Sequence, residues 1–272
     1  MSTIKRSGLT YEDKVVLITG GSKGIGSGCA KVFIDAGSNV VICARNEEPG
    51  MQLSKELTLK GSGECLFQVC DVSQPDEIVE LINFTVNHFG RIDCLINNAG
   101  FHPPHKVIDS FTESDLEQVW RANFVSQFVA CKYALPYLRK TKGSIINMGS
   151  LVAQIGQEGA TTYCATKGAI SSFTKSLAIE EAPNNVRVNA VLPGNILSDS
   201  RVQFEQSSSE GAEIGKWVDS TQPIGRSGTN EETGQVCLFL ASDASSYITG
   251  TEVIVSGGSE LGYGTKYPLK FI

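Results

Sequence analysis

Short β-branched apolar runs alternate along the chain with longer segments in which apolar residues recur every three or four positions. The runs predict strands over 14–19, 39–43, 64–69, 92–96, 143–148, 186–191 and 252–255. The longer segments predict helices over 24–36, 47–60, 75–89, 112–120, 123–138, 157–181 and 231–241. The strand runs, such as KVVLIT over 14–19 and NVVIC over 39–43, show no polar alternation, so both of their faces are expected to be covered, as in a parallel sheet.

Repeated strand–helix units connected right-handedly give an α/β chain. The expected architecture is a single-domain, Rossmann-type doubly wound fold with a seven-stranded parallel sheet and helices on both faces. No repeat period and no linker divides it, so one domain is expected over 1–272. One stretch breaks the rhythm. Residues 197–221, polar and Ser-rich, lie between the sixth strand and the last helix, beyond a strand's carboxyl end where such sheets bind ligands. A long insertion there is a candidate substrate lid.

Composition narrows the class of partner. Of the 272 residues, 41% are hydrophobic and 19% charged, enough to bury a sizeable core. Lys and Arg number 23 against 29 Asp and Glu, a formal net charge of −6, which disfavours nucleic acid or an anionic membrane as partner. No apolar run approaches the roughly 18–20 residues of a membrane span, and the polar start lacks a signal-peptide core, so a cytoplasmic protein is expected. The eight cysteines form no C-x-x-C pair, and with three histidines no metal site is expected.

The chemistry begins at the end of the first strand, in Thr19-Gly20-Gly21-Ser22-Lys23-Gly24-Ile25-Gly26. A strand, a glycine-rich turn and a helix start make a pyrophosphate site: the glycines let backbone approach the phosphates, and the helix N-terminus offers amide donors and a positive dipole. Tyr163 and Lys167 stand at i and i+4 of the long helix and project from one face. A phenol near pKa 10 is a poor base at neutral pH, and a fixed ammonium beside it is expected to lower that value. Tyr163 then takes or gives the hydroxyl proton, while Ser150, after the fifth strand, hydrogen-bonds the substrate oxygen.

The glycine spacing, Asn97-Asn98-Ala99-Gly100 after the fourth strand, Ser150, Tyr163-x-x-x-Lys167, and Pro193-Gly194 after the sixth strand together resemble the short-chain dehydrogenase/reductases over about 11–264. The resemblance implies an oxidoreductase that interconverts a secondary alcohol and a ketone with a nicotinamide cofactor. It implies that Asn123 holds a water linking Lys167 to solvent and that Lys167 reaches the ribose. By the same resemblance, Gly20, Ser22, Lys23, Gly24, Ile25, Gly26, Asp71, Val72, Asn98, Ala99, Gly100, Pro193, Gly194, Ile196 and Ser198 line the cofactor, with Asp71 and Val72 at the adenine. His102, Gln157 and Tyr263 are implied to line the substrate pocket, Tyr263 that of a neighbouring subunit. A symmetric homo-oligomer is implied, most readily a tetramer packed through the helices over 123–138 and 157–181.

The end of the second strand bears on cofactor choice. NAD enzymes place an acidic residue there, about 20 residues past the glycine loop, to bind the ribose 2′-hydroxyl. Ala44 occupies that position here, Arg45 follows it, and Lys23 sits in the glycine loop. Two cations and no carboxylate suit a 2′-phosphate, so NADP(H) is expected, with NAD(H) as the alternative. Within the family, stretches such as Ala134-Leu135-Pro136-Tyr137-Leu138-Arg139-Lys140 and Glu260-Leu261-Gly262-Tyr263-Gly264 resemble the 17β-hydroxysteroid dehydrogenases, which implies a steroid of the estradiol/estrone type. The alternatives are a small polar substrate such as a sugar or generic carbonyl compound, or a catalytically silent cofactor-binding protein.

Overall fold

The computed structural model describes residues 8–197 and 199–261. Strands β1 (Val15–Thr19), β2 (Asn39–Ala44), β3 (Cys65–Val69), β4 (Cys94–Asn97), β5 (Ser144–Met148), β6 (Arg187–Pro193) and β7 (Glu252–Val255) form one sheet in the order β3-β2-β1-β4-β5-β6-β7. Every pairing is parallel, with Val16 opposite Val40 on one side and Cys94 on the other. The expected architecture is therefore the one observed.

Successive strand residues feed opposite layers. Val16, Ile18, Val40, Ile42 and Ile96 pack with Phe33 of α1 (Gly24–Asp35), Leu57 of α2 (Glu47–Lys60) and, from the chain's last long helix (Asn230–Ala241), Leu238. Leu17, Val41, Cys43 and Leu95 pack on the other face with α3 (Pro75–Phe89) and with the two long helices that follow it in the layer. Because each layer buries one parity of strand residue, the strands read as continuous apolar runs.

The first of those two helices is one rod that the sequence divides in two. It comprises α4 (Glu113–Trp120), a π-helical turn (Arg121–Val125) and α5 (Ser126–Thr141). The second, α6, starts at Thr161 rather than near 157, because Gly159 takes φ +71° and holds 157–160 as a turn. Gln157 thus sits on a loop, not on the helix.

The segment over 197–221 is not irregular. It forms α7 (Asp199–Ser207) and α8 (Ser209–Ser220), with the Ser208 hydroxyl accepting the Gly211 amide at 3.0 Å as an N-cap. Arg201 fastens the pair. Its guanidinium donates to Glu205 (2.5 Å), to the Gly215 carbonyl (3.1 Å) and to Asp219 (2.9 Å), and it also pairs with Ser227. Asp219 in turn accepts the Ser227 amide and hydroxyl at 3.0 and 2.7 Å. Capping and a buried-edge ion network explain why a polar, Ser-rich sequence is ordered here. The last helix, α9 (Asn230–Ala241), opens with a Thr229/Glu232 capping box.

Candidate active site

Strand order reverses at β1, which lies between β2 and β4, and in sheets of this kind the ligand crevice lies there, beyond the carboxyl ends of the strands. The sequence-predicted residues come together along that edge. Gly20 adopts φ +65° and Gly24 φ +57°, conformations that favour glycine. A Cβ on Gly26 would lie 2.3 Å from the Gly20 carbonyl oxygen, so the turn and α1 close on each other only without a side chain. Lys23, the residue before α1, provides no side-chain cap, which leaves the first-turn amides open toward the crevice. This glycine cradle with uncapped amides fits a pyrophosphate.

Thr19, which opens the glycine motif, ties the loops together. Its Oγ1 accepts the Asn98 and Ala99 amides, both at 3.0 Å. Asn98 Nδ2 donates back to the Thr19 and Gly20 carbonyls at 2.9 and 3.0 Å. Gly21 packs so tightly on Ile42 that a Cβ would clash at 2.6 Å. Ser22 and Ile25 are half-buried along the loop, Ala44 is half-buried at the end of β2, and Lys23 and Arg45 are exposed. Asp71 Oδ1 accepts the Ser73 amide at 2.9 Å, turning the chain beside Val72 into α3. Past β6, Gly194 donates to the Val255 carbonyl at 2.9 Å, and Ile196 bridges to Gly228. Ser198 and Tyr263 lie outside the described residues.

The residues expected to handle the proton sit just after β5 and in the first two turns of α6. Lys167 is buried, and its Nζ donates to the Met148 carbonyl at 2.9 Å while lying 5.4 Å from the Tyr163 ring centre. Burial lowers the Lys167 amine to about 8. Burial also raises the Tyr163 phenol above its ordinary value, and a hydrogen bond with Ser150 offsets part of that. The net shift of the phenol is therefore upward where a fall was expected: burial outweighs the nearby ammonium, which is turned toward the strand carbonyl, and Ser150 is the contact that opposes desolvation.

Asn123 is fully buried in the π-helical turn. Its Oδ1 accepts the Phe101 amide at 2.9 Å, and its Nδ2 donates to the Phe101 carbonyl at 3.0 Å and to Thr166 at 3.3 Å. The side chain is thus spent on joining the loop after β4 to α6, leaving only its backbone for other work.

Above Tyr163 the structure gathers three side chains distant in sequence. The His102 ring lies 4.3 Å from the Tyr163 ring, centre to centre, and 4.9 Å from that of His105. His102 Nδ1 is 2.6 Å from the Pro103 carbonyl, which can only accept, so the proton is on Nδ1. Nε2 is 3.3 Å from Gln157 Oε1, an acceptor, so this contact is a hydrogen bond when Nε2 also carries a proton or when the amide is turned to present its NH2. His105, which sequence reasoning passed over, buttresses the column through a 3.0 Å contact with the Glu158 carbonyl; the His-x-x-His spacing was its only trace in the sequence.

Comparisons with known proteins point the same way. The model of a family described as enoyl-(acyl carrier protein) reductase matches residues 20–260. L-fucose dehydrogenase of Bos taurus is 40% identical over 259 residues, covering 95% of this chain and 94% of that protein. Among solved structures, the aldohexose dehydrogenase of Thermoplasma acidophilum in ligand-free form superposes with a TM-score of 0.83 at 31% identity, over 94% of this chain and 98% of that one. L-Sorbose reductase of Gluconobacter frateurii, complexed with NADPH and L-sorbose, superposes with a TM-score of 0.89 at 26% identity, over 94% and 99%. None of these relatives is named for a steroid. With the glycine cradle, Asn98, Ser150 and the Tyr163/Lys167 pair at one sheet edge, matches of this length leave one assignment: the chain belongs to the short-chain dehydrogenase/reductase family and is an oxidoreductase acting on an alcohol or ketone.

Proposed function

We propose that this oxidoreductase acts on a CH–OH group of a small sugar or on the corresponding carbonyl, with NADP(H) as the preferred cofactor. The observation that carries the substrate reading is the polar mouth over Tyr163, where the exposed His102 ring packs on the phenol ring and pairs with the exposed Gln157 amide. A polyhydroxylated substrate exchanges hydrogen bonds with such groups, whereas a steroid needs a long apolar wall. The L-fucose, aldohexose and L-sorbose enzymes similar to this chain support the same choice over the steroid expectation.

The chain's residues divide the work. Backbone amides at the start of α1 hold the pyrophosphate, with Gly20, Ser22, Lys23, Gly24, Ile25 and Gly26 around it. Asp71 and Val72 flank the adenine. Asn98, Ala99 and Gly100 form the crevice floor, and Pro193, Gly194 and Ile196 face the nicotinamide end. A bound nicotinamide supplies or accepts the hydride. Ser150 holds the substrate oxygen, Tyr163 takes its proton in oxidation and returns it in reduction, and Lys167 as ammonium favours the phenolate that reduction leaves behind. Asn123 fixes the loop and helix that flank this pair.

Ala44 leaves space without negative charge where a 2′-phosphate would sit, and Arg45 and Lys23 supply cations. The ordered α7–α8 pair is read as the substrate cover. Half-exposed apolar side chains on the outer face of the α5/α6 layer, among them Phe128 and Tyr133, support a symmetric homo-oligomer, most readily a tetramer. A monomeric mass by light scattering rejects it. No described helix is long and apolar enough to cross a membrane, and a cytoplasmic location agrees with the acidic composition.

Parallel turnover assays test the substrate. L-Fucose and other aldoses with NADP+ are expected to be oxidised faster than estradiol, and estradiol turnover above that of every sugar overturns the reading. The pH dependence follows from Lys167. Because burial brings its amine to about 8, kcat/KM for carbonyl reduction is expected to be flat at lower pH and to fall as pH rises through that value and the ammonium is lost. A rate that instead climbs through the same range contradicts the role.

A further inference from the structure

Beneath Lys167 lies a buried polar cluster that the mechanism above does not use. Gln127, on α5, is 2% exposed. Its Nε2 donates to the Met148 carbonyl at 3.4 Å, and that same carbonyl accepts the Lys167 ammonium at 2.9 Å. Its Oε1 is buried with no hydrogen-bond partner. One turn further along α5, Cys131 Sγ lies 3.2 Å from Asn97 Nδ2, and Asn97 is 1% exposed. Asn97 Nδ2 also donates to Asn147 at 2.9 Å, while Asn97 Oδ1 is a second buried acceptor without a partner. An ammonium has three donors, and one of those on Lys167 is used by Met148.

Two orphaned amide oxygens on adjoining elements, beside a cation with donors to spare, form the setting in which buried water is retained. A single water has the two donors and the acceptor lone pairs needed to serve two such oxygens and an ammonium. We propose that Gln127 is a positioning residue for Lys167: with a water held between Gln127 Oε1 and Asn97 Oδ1, it keeps the Lys167 amine in its ammonium form against the Met148 carbonyl. The inference rests on the assignment of Lys167 to the proton-handling pair.

The groups that face Lys167 are few. Among the described residues, its own helix presents Tyr163, β5 presents the Met148 carbonyl, and α5 presents Gln127 at that carbonyl, with the buried Cys131 thiol, held neutral by burial, one turn beyond. Only Tyr163 and the Cys131 thiol among these titrate, burial raises both, and burial is the cause of the lowered amine, with no charged side chain contributing. The charge state of Lys167 is thus left to neutral dipoles, and in a dry interior an amide oxygen turned toward an ammonium, directly or through water, counts heavily.

The test is Gln127→Met, close in volume but without the amide. In the apoprotein labelled with 13Cε-lysine, with the Lys167 signal assigned by its loss in Lys167→Arg, the titration midpoint is expected to move down by about one pH unit, a tenfold change in proton affinity. Gln127→Glu is expected to move it up. The alkaline limb of kcat/KM for reduction follows each midpoint, while the rate at low pH stays near that of the parent. An unchanged or raised midpoint in Gln127→Met overturns the proposal. Should that variant not fold, a high-resolution crystal structure of the parent decides: a water bridging Gln127 and Asn97 is expected, and a dry site overturns it. A parent enzyme that turns over no alcohol or carbonyl defeats the functional reading instead, and the apoprotein titration still decides the role of Gln127.

Discussion

Turnover of the Tyr163→Phe enzyme is expected to drop by about 10³-fold in either direction, within the range by which a positioned acid or base accelerates proton transfer. The ring itself stays. Its contact with His102 at 4.3 Å and its place on α6 depend on the aromatic face rather than the hydroxyl. Cofactor affinity, measured by fluorescence titration with NADPH, is therefore expected to change by less than about threefold, because the glycine cradle and Asn98 are untouched. The loss belongs in kcat and kcat/KM alike, the signature of an interaction made in the transition state. Near-parental kcat in this variant would sink the assignment of Tyr163 and with it the proton path through Ser150 and Lys167.

Ala44→Asp is expected to reverse cofactor preference. The side chain at the end of β2 is half-buried beside exposed Arg45, at the edge of the crevice where the adenosine ribose is expected. A carboxylate there accepts from a ribose 2′-hydroxyl, a charge-assisted bond of about 1.5–3 kcal/mol. It also repels a 2′-phosphate, so the ratio of NADPH to NADH affinity falls by roughly 10²-fold or more. Calorimetric titration of the apoprotein with each cofactor measures it. Tighter binding of NADH than NADPH by the parent protein would show that Ala44, Arg45 and Lys23 do not select the phosphate.

Much of the scaffold is legible in the chain because its signals are local. Seven apolar runs without alternation specify strands buried on both sides, and each is found within a residue or two of its expected bounds. The glycine turn is legible because positive φ and close approach demand glycine at Gly20, Gly24 and Gly26. Tyr163 and Lys167 are legible as a pair because helical spacing puts them on one face. Where these signals conflict, reading fails: 197–221 has loop composition, yet Arg201 and Asp219 order it through contacts with Gly215 and Ser227 that no local pattern encodes. The steroid expectation finds no support in the names of the similar proteins, and resemblance in scaffold stretches carries little information about the side chains at the mouth.

The sequence by itself determined the doubly wound sheet, the glycine turn after β1 and the shared helix face of Tyr163 and Lys167, because each follows from periodicity or turn chemistry within a few residues. Only the tertiary structure decided what surrounds that pair. His102 meets Gln157 across 55 positions, Lys167 turns to the Met148 carbonyl 19 positions before it, and Asn123 spends its side chain on Phe101 and Thr166. Those choices arise from packing separate elements against one another in a dry interior, where desolvation, and not the distance between two residues on a helix, sets which way the Tyr163 and Lys167 affinities for protons move.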